Sequence, residues 1–221
     1  MQSSKAMKRI LTILTSVAIL FGVNQHLRAD VTMQLVADND FALFVGNSTN
    51  ATRLVYQNND PWPSQISAAA RFNVQVLSGE NTFYLLGMGG GGEENISGTI
   101  NGVDITTVGA VQSSDISSFL AGYNPPDVAN GIYNANLSDI QTALSSGTVT
   151  WGSPSLNSSD AVIQQAAPNG VGYHFDDSTA VLFKFTTDSV GVPATVPEPS
   201  TYALIGLGGL ALVAAYRCRR A

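Results

Sequence analysis

Asp38 and Asp40 flank Asn39 at the head of an apolar stretch. Three consecutive oxygen-bearing side chains are the kind of ligand a hard cation such as Ca²⁺ takes, since it collects six to eight oxygens from carboxylates, amides and carbonyls. Asp176-Asp177 and Glu93-Glu94 are further oxygens, if the fold brings them near. The spacing is not that of an EF-hand loop, and the same residue types also cap turns through their side chains. A second chemistry is sugar stacking. Trp62 stands between Pro61 and Pro63, so its ring would ride on a stiff loop. Tyr56 and Tyr84 would add amphipathic rings suited to a glycan surface. The competing reading makes Trp62 a cover for a sandwich edge. Trp151 lies in a strand pattern and reads as core.

Catalysis has fewer handles. His174 is the one histidine beyond the leader, and the single cysteine, Cys218, is at the far C-terminus. A Cys–His pair is therefore excluded from the body of the chain. A Ser–His–Asp triad would need His174, which lies in a strand pattern without a nucleophile elbow nearby. A carboxylate pair for glycoside hydrolysis stays open, because the acids are many and no pair stands out. Gly89–Gly92 lacks the Lys-Ser/Thr ending of a phosphate loop.

Both ends of the chain read as targeting segments. Lys5, Lys8 and Arg9 precede an apolar run over 10–23 and a polar stretch ending at Ala29, the layout of a secretory signal peptide over 1–29. At the other end Val196-Pro197-Glu198-Pro199 precedes the apolar run 202–216, followed by Arg217, Arg219 and Arg220. The prolines hold their own φ and bias their predecessors toward extended backbone, which suits a protease groove. The 15-residue run is about 23 Å as a helix, short of the roughly 30 Å hydrocarbon core. With snorkelling arginines it would span as a thin, temporary transmembrane anchor, the arginines staying cytoplasmic.

Removing these ends changes the charge. Only Arg53, Arg71 and Lys184 remain within 30–199, against all 16 acids, a net charge near −13. Such a surface argues against nucleic acid and anionic lipid as partners. With no cysteine the body has no disulfide, and its length suffices for a core without one.

Residues 30–188 read as one all-β domain, followed by a linker over 189–195 and the sorting segment 196–221. Strands are expected at Val31–Val36, Phe41–Val45, Phe72–Leu77, Thr82–Leu86, Ile96–Ile100, Val103–Thr107, Val149–Trp151, Val171–Phe175 and Ala180–Thr187. Turns at Ser78–Asn81, Asn101-Gly102 and Asp176–Ser178 would make three hairpins, Asn-Gly being the strongest such signal. Short helices are expected at Asp115–Leu120 and at Ser138–Ser145, the latter capped by Ser138 or Asp139. This pattern gives a β-sandwich or jelly roll with one or two short helices in an insert over Val111–Ser146.

The C-terminal arrangement of motif, helix and arginines resembles the PEP-CTERM sorting signal, the substrate tag of exosortases. The resemblance implies exosortase as a partner, membrane contact through the C-terminal helix before processing, removal of the tail near Pro197–Pro199, and a place at the cell surface or in an extracellular polysaccharide matrix. Asp38–Gly46, Leu77–Phe83, Gly89–Gly92, Ile96–Thr107 and Val149–Trp151 resemble in turn the strand, turn and loop pattern of galactose-binding-like jelly rolls. The resulting expectation is a non-enzymatic exported protein that touches extracellular polysaccharide, with Trp62, Tyr56 and Tyr84 as glycan contacts and Ca²⁺ at Asp38 and Asp40. The alternatives are a purely structural or adhesive matrix component, and a secreted carbohydrate-active enzyme.

Overall fold

Alternation decides which side of each strand meets the core. In β1 (Ala29–Asp38) Val31, Met33, Leu35 and Ala37 are fully buried, while Asp30 and Thr32 on the opposite face are exposed. The computed structural model describes residues 29–61, 64, 69–92, 94–158 and 169–192. Residues 1–28 of the segment read as a signal peptide over 1–29, Trp62, Glu93, residues 193–195 of the expected linker, and the tail with Val196, Pro197, Glu198, Pro199, Arg217, Arg219 and Arg220 lie outside the described residues.

The described strands form two antiparallel sheets. The first combines β1 with β4 (Ala70–Val76), β6 (Glu94–Ile100), β7 (Val103–Asp104), β10 (Ser155–Asn157) and β11 (Gly172–Phe175), in the order β10-β11-β6-β1-β4 with β7 on β6. The second combines β2 (Asp40–Asn47), β3 (Asn50–Gln57), β5 (Thr82–Met88), β8 (Val111–Ser113), β9 (Trp151–Gly152) and β12 (Ala180–Thr186), in the order β3-β2-β5-β12-β8-β9. Between them lies a core of Met33, Leu35, Phe41, Leu43, Phe83 and Phe183, with Tyr173 stacked on Phe183 at 4.5 Å between ring centroids. Close packing sets glycine requirements. A Cβ on Gly98 of β6 would stand 2.0 Å from the Gln34 carbonyl oxygen of β1, and Gly98 has φ +142°.

The insert has a structural purpose that the sequence hid. Between β8 and β9 the chain leaves the sheet and lays two helices, α1 (Pro125–Ala129) and α2 (Leu137–Ser145), over the outer face of the second sheet. Ile116, Val128, Tyr133 and Ile140 from this layer pack on Phe44, Tyr84, Leu86 and Leu182 from the sheet, making a second apolar core. Two glutamines stitch it to edge strand β3. Gln57 Nε2 donates to the Tyr133 carbonyl at 2.8 Å while its Oε1 accepts from Ala135 N–H at 3.0 Å, and Gln141 Nε2 donates to the Ala51 carbonyl at 2.8 Å.

Several sequence expectations are corrected. The Asn101-Gly102 hairpin is present between β6 and β7, both residues at positive φ, but Ile105–Thr107 forms a 3-10 turn instead of continuing the strand. The other two hairpins are not hairpins. β4 and β5 belong to different sheets, and so do β11 and β12, so each turn is an arch across the sandwich. The reason is that β4 and β11 find their partners in β1 and β6, while β5 and β12 pair with each other. Strand β3 and helix α1 went unread, Asp115–Leu120 holds a 3-10 turn at Ser117–Phe119, and α2 is entered from Asn136 instead of from Ser138 or Asp139.

Candidate functional site

The Asp38–Asp40 corner is where β1 hands over to β2, and thus where the chain passes from one sheet to the other. Asp38 is 8 % exposed and Asp40 fully buried. Among the described residues no group of three His, Cys, Asp or Glu side chains is placed to hold a metal ion. The corner locks the glycine-rich loop. Glu94, fully buried, accepts from the Gly90 and Gly91 N–H groups at 3.0 and 2.8 Å, and from Asn39 Nδ2 at 3.1 Å. A Cβ on Gly90 would stand 2.8 Å from Asn39 Cγ, so the loop needs glycine there to approach. The Tyr123 hydroxyl, from the insert, reaches the carbonyl oxygens of Gly89 and Thr179, each at 2.8 Å.

Burial pushes the Glu94 carboxyl above its ordinary value of 4.5, against the three hydrogen bonds that favour the anion. A second buried carboxylate goes the other way. Glu80 accepts from Arg53 Nε at 2.9 Å, Arg53 Nη2 at 2.8 Å, Leu77 N–H at 2.8 Å and Thr52 Oγ1 at 3.1 Å. Burial raises its pKa, but those hydrogen bonds and the guanidinium charge outweigh burial and hold it below 4.5. The two groups therefore load the stability curve with opposite signs. Glu94 binds its proton more tightly folded than unfolded, so its contribution is full below pH 4.5 and is lost as pH rises through the raised value. The contribution of Glu80 is present above 4.5 and is lost as pH falls through the lowered value. Urea titrations between pH 4 and 8 should show Glu94→Gln improving against wild type as pH rises. Glu80→Gln should worsen along the same series, reaching a deficit of about 2–3 kcal/mol at pH 7.

The expected aromatic platform is not an open one at the residues described. Tyr84 is fully buried in the second core, its hydroxyl donates to the Asn47 carbonyl at 2.5 Å, and burial lifts its pKa to about 12. Tyr56 is half-buried and stacks on Phe72 at 3.8 Å and on Phe41 at 5.6 Å. Trp62 lies outside the described residues. Tyr84→Phe removes one hydrogen bond and should cost about 1 kcal/mol in urea unfolding.

An open concave surface lies at the β8–β9 edge of the second sheet. Ser113 pairs with Trp151 and Gln112 with Gly152. With Ser114, Thr150 and Ser155 these residues line an open groove of about 290 Å³, near the lower end of the roughly 300–1,000 Å³ of small-ligand sites. Gln112 Oε1 holds the groove wall by accepting from Ser155 N–H at 3.0 Å, and Ser114 Oγ accepts from Thr150 N–H at 3.2 Å. Thr150, Ser153 and Ser155 are exposed. None of the lining residues is acidic. Trp151 is half-buried, resting on the second core, and Lys184 Nζ sits 4.0 Å from the centre of its ring. The sequence reading assigned Trp151 to the core. What it lacked was the pairing of β8 with β9 across the insert, which lifts the ring to the sheet edge.

Comparison with known proteins adds one decisive observation. Residues 195–220 match the PEP-CTERM protein-sorting motif. The PEP-CTERM segment makes the chain an exosortase substrate by its tail, and it implies export and exosortase-mediated placement at the surface. No curated protein and no solved structure matches the chain. Among the described residues no helix is long and apolar enough to cross a membrane, and the apolar run of the PEP-CTERM tail lies outside them. What exosortase delivers is thus a two-sheet antiparallel body with a minor helical layer.

Proposed function

We propose that the protein is a non-enzymatic component of an extracellular polysaccharide layer, released from its PEP-CTERM tail near Pro197–Pro199 and touching polysaccharide through the groove at Trp151. The observation that carries this reading is the contrast between the groove and the rest of the body. The net charge over 30–199 is near −13, yet the lining of this groove is hydroxyls, an amide and an indole without an acid. Hydroxyl and amide groups around an aromatic ring are the means by which proteins hold sugars, the ring covering the apolar face and the polar groups taking the hydroxyls. The non-enzymatic part rests on how the reactive groups are employed. His174 Nδ1 is 3.0 Å from the Glu94 carbonyl oxygen, and the Glu80 and Glu94 carboxylates hold turns.

The test is co-sedimentation of the processed protein with the polysaccharide of the cells that make it. Saturable binding is expected, unchanged by EDTA and reduced at least tenfold by Trp151→Ala. Sedimentation that Trp151→Ala leaves intact would remove the groove from the account. No sedimentation at all would leave a scaffold without a ligand. Release of reducing sugar during the assay would contradict the non-enzymatic reading.

A further inference from the structure

The body holds its own C-terminal segment firmly up to the point where the sorting tail takes over. Strand β12 runs from Ala180, beside Met88, to Thr186, beside Thr82. Beyond it the Thr187 N–H donates to the Asn81 carbonyl at 2.9 Å and the Val192 N–H to the Thr187 carbonyl at 3.0 Å. Asn101 Nδ2 donates to the Val190 carbonyl at 3.1 Å. Val190 is fully buried and Val192 is 3 % exposed. Four residues, 193–196, then separate Val192 from Pro197. However they run, they give the chain a reach of at most about 18 Å.

An enzyme is larger than that reach. Even a domain of about 100 residues has a radius of gyration of about 13 Å. A protease that closes its cleft on Pro197–Pro199 must therefore stand against the end of the body that Val192 leaves. That end is built from the turns at 47–50, 77–81 and 101–102. They expose Ser48, Thr49, Ser78 and Asn101 and no charged side chain, Glu80 being buried and bound to Arg53 at 2.8 Å. Asp30 and Asp188 are exposed at the margin. In a chain with a net charge near −13 over 30–199, these turns form a surface that a partner covers without desolvating a charge, which is how the centres of protein interfaces are composed.

We propose that this pole, the turns at 47–50, 77–81 and 101–102 around Val192, is the face that exosortase contacts while it cuts the chain. The inference rests on the exosortase reading of the tail and is independent of the groove. The experiment follows the full-length precursor by pulse-chase in the cells that make it, reading the mass lost with the arginine-bearing tail. Ser48→Glu with Ser78→Glu puts two charges on the pole and should slow conversion at least fivefold. Ser118→Glu with Ala121→Glu, at exposed positions of the insert, should leave the rate unchanged. About 20 glycine and serine residues inserted after Val192 add roughly 25 Å of root-mean-square reach. They should restore the wild-type rate to the slowed pair. Urea midpoints of the released bodies check folding. If the glutamate pair does not fold, Ser48→Gln with Ser78→Gln carries the test by bulk alone, with the same rescue expected. Wild-type conversion of the pole variants would overturn the docking face and leave the sorting signal standing. Equal slowing by both glutamate pairs would show a response to net charge and overturn it as well, as would a slowing that the insertion does not relieve. A wild-type precursor that stays uncut would overturn the cleavage itself and the docking face with it.

Discussion

Gly98→Ala should destabilise the body by about 4 kcal/mol or more, the sum of a positive-φ strain and an overpacking clash. Gly98 pairs with Leu35 in the middle of the first sheet, and the added methyl would arrive 2.0 Å from the Gln34 carbonyl and 2.9 Å from Leu35 Cα. Both obstacles are backbone, so no side chain can swing aside. Relief requires β1 and β6 to separate, and β1 also carries β4. A companion substitution isolates the clash. Gly102 has φ +78°, and a methyl added there would meet nothing within 4 Å, so Gly102→Ala should cost only about 1–2 kcal/mol, the conformational part. Urea unfolding of the pair reads the difference, and equal losses would show that the sheet accommodates the methyl by a route the geometry does not contain.

Ile140→Asp should cost about 4 kcal/mol or more, combining a lost aliphatic core side chain with an uncompensated buried charge. Ile140 is fully buried on α2 and faces the second core, where Phe44, Tyr84 and Leu86 offer no cation to a carboxylate. Losing the α2 contact would uncover the outer face of β2 and β5, apolar strands of which β2 borders edge strand β3. The expected readouts are a lower urea midpoint and binding of a hydrophobic dye in the native baseline. Ile132→Asp, at a position 64 % exposed in the same layer, should change stability by less than about 0.5 kcal/mol. Similar losses at both positions would mean that the helical layer is a dispensable cover.

The sequence reading succeeded where the signal was local. Alternation marked β1, short runs of aromatic and aliphatic residues marked β5 and β12, and Asn101-Gly102 marked its hairpin. The proline–glutamate–proline tail with its arginines marked the sorting signal. The reading failed where the answer depended on remote pairing. β2 and β5 are buried along nearly their whole length. Both of their faces are covered because the insert closes the outer one, and a run such as Phe41–Val45 does not say which segment will do so. The two arches misread as hairpins have turn residues that serve either geometry, and only the partners of β4 and β11 decide between them. The candidate site was hidden for the same reason. Gln112–Ser114 and Thr150–Ser155 form one groove after 35 intervening residues fold away onto the sheet. Lys184 comes to lie over Trp151 through a strand pairing that no spacing foretells.

Delivery of the body to the outside is the claim on which the others depend. Its most direct test is the intact mass, with C-terminal peptide sequencing, of the protein recovered from the cell surface and the medium. The account predicts a chain that ends near Pro197–Pro199 and lacks the apolar run and the arginines. A surface protein that keeps Arg220 would contradict it, making the tail a permanent anchor and not a signal that exosortase removes.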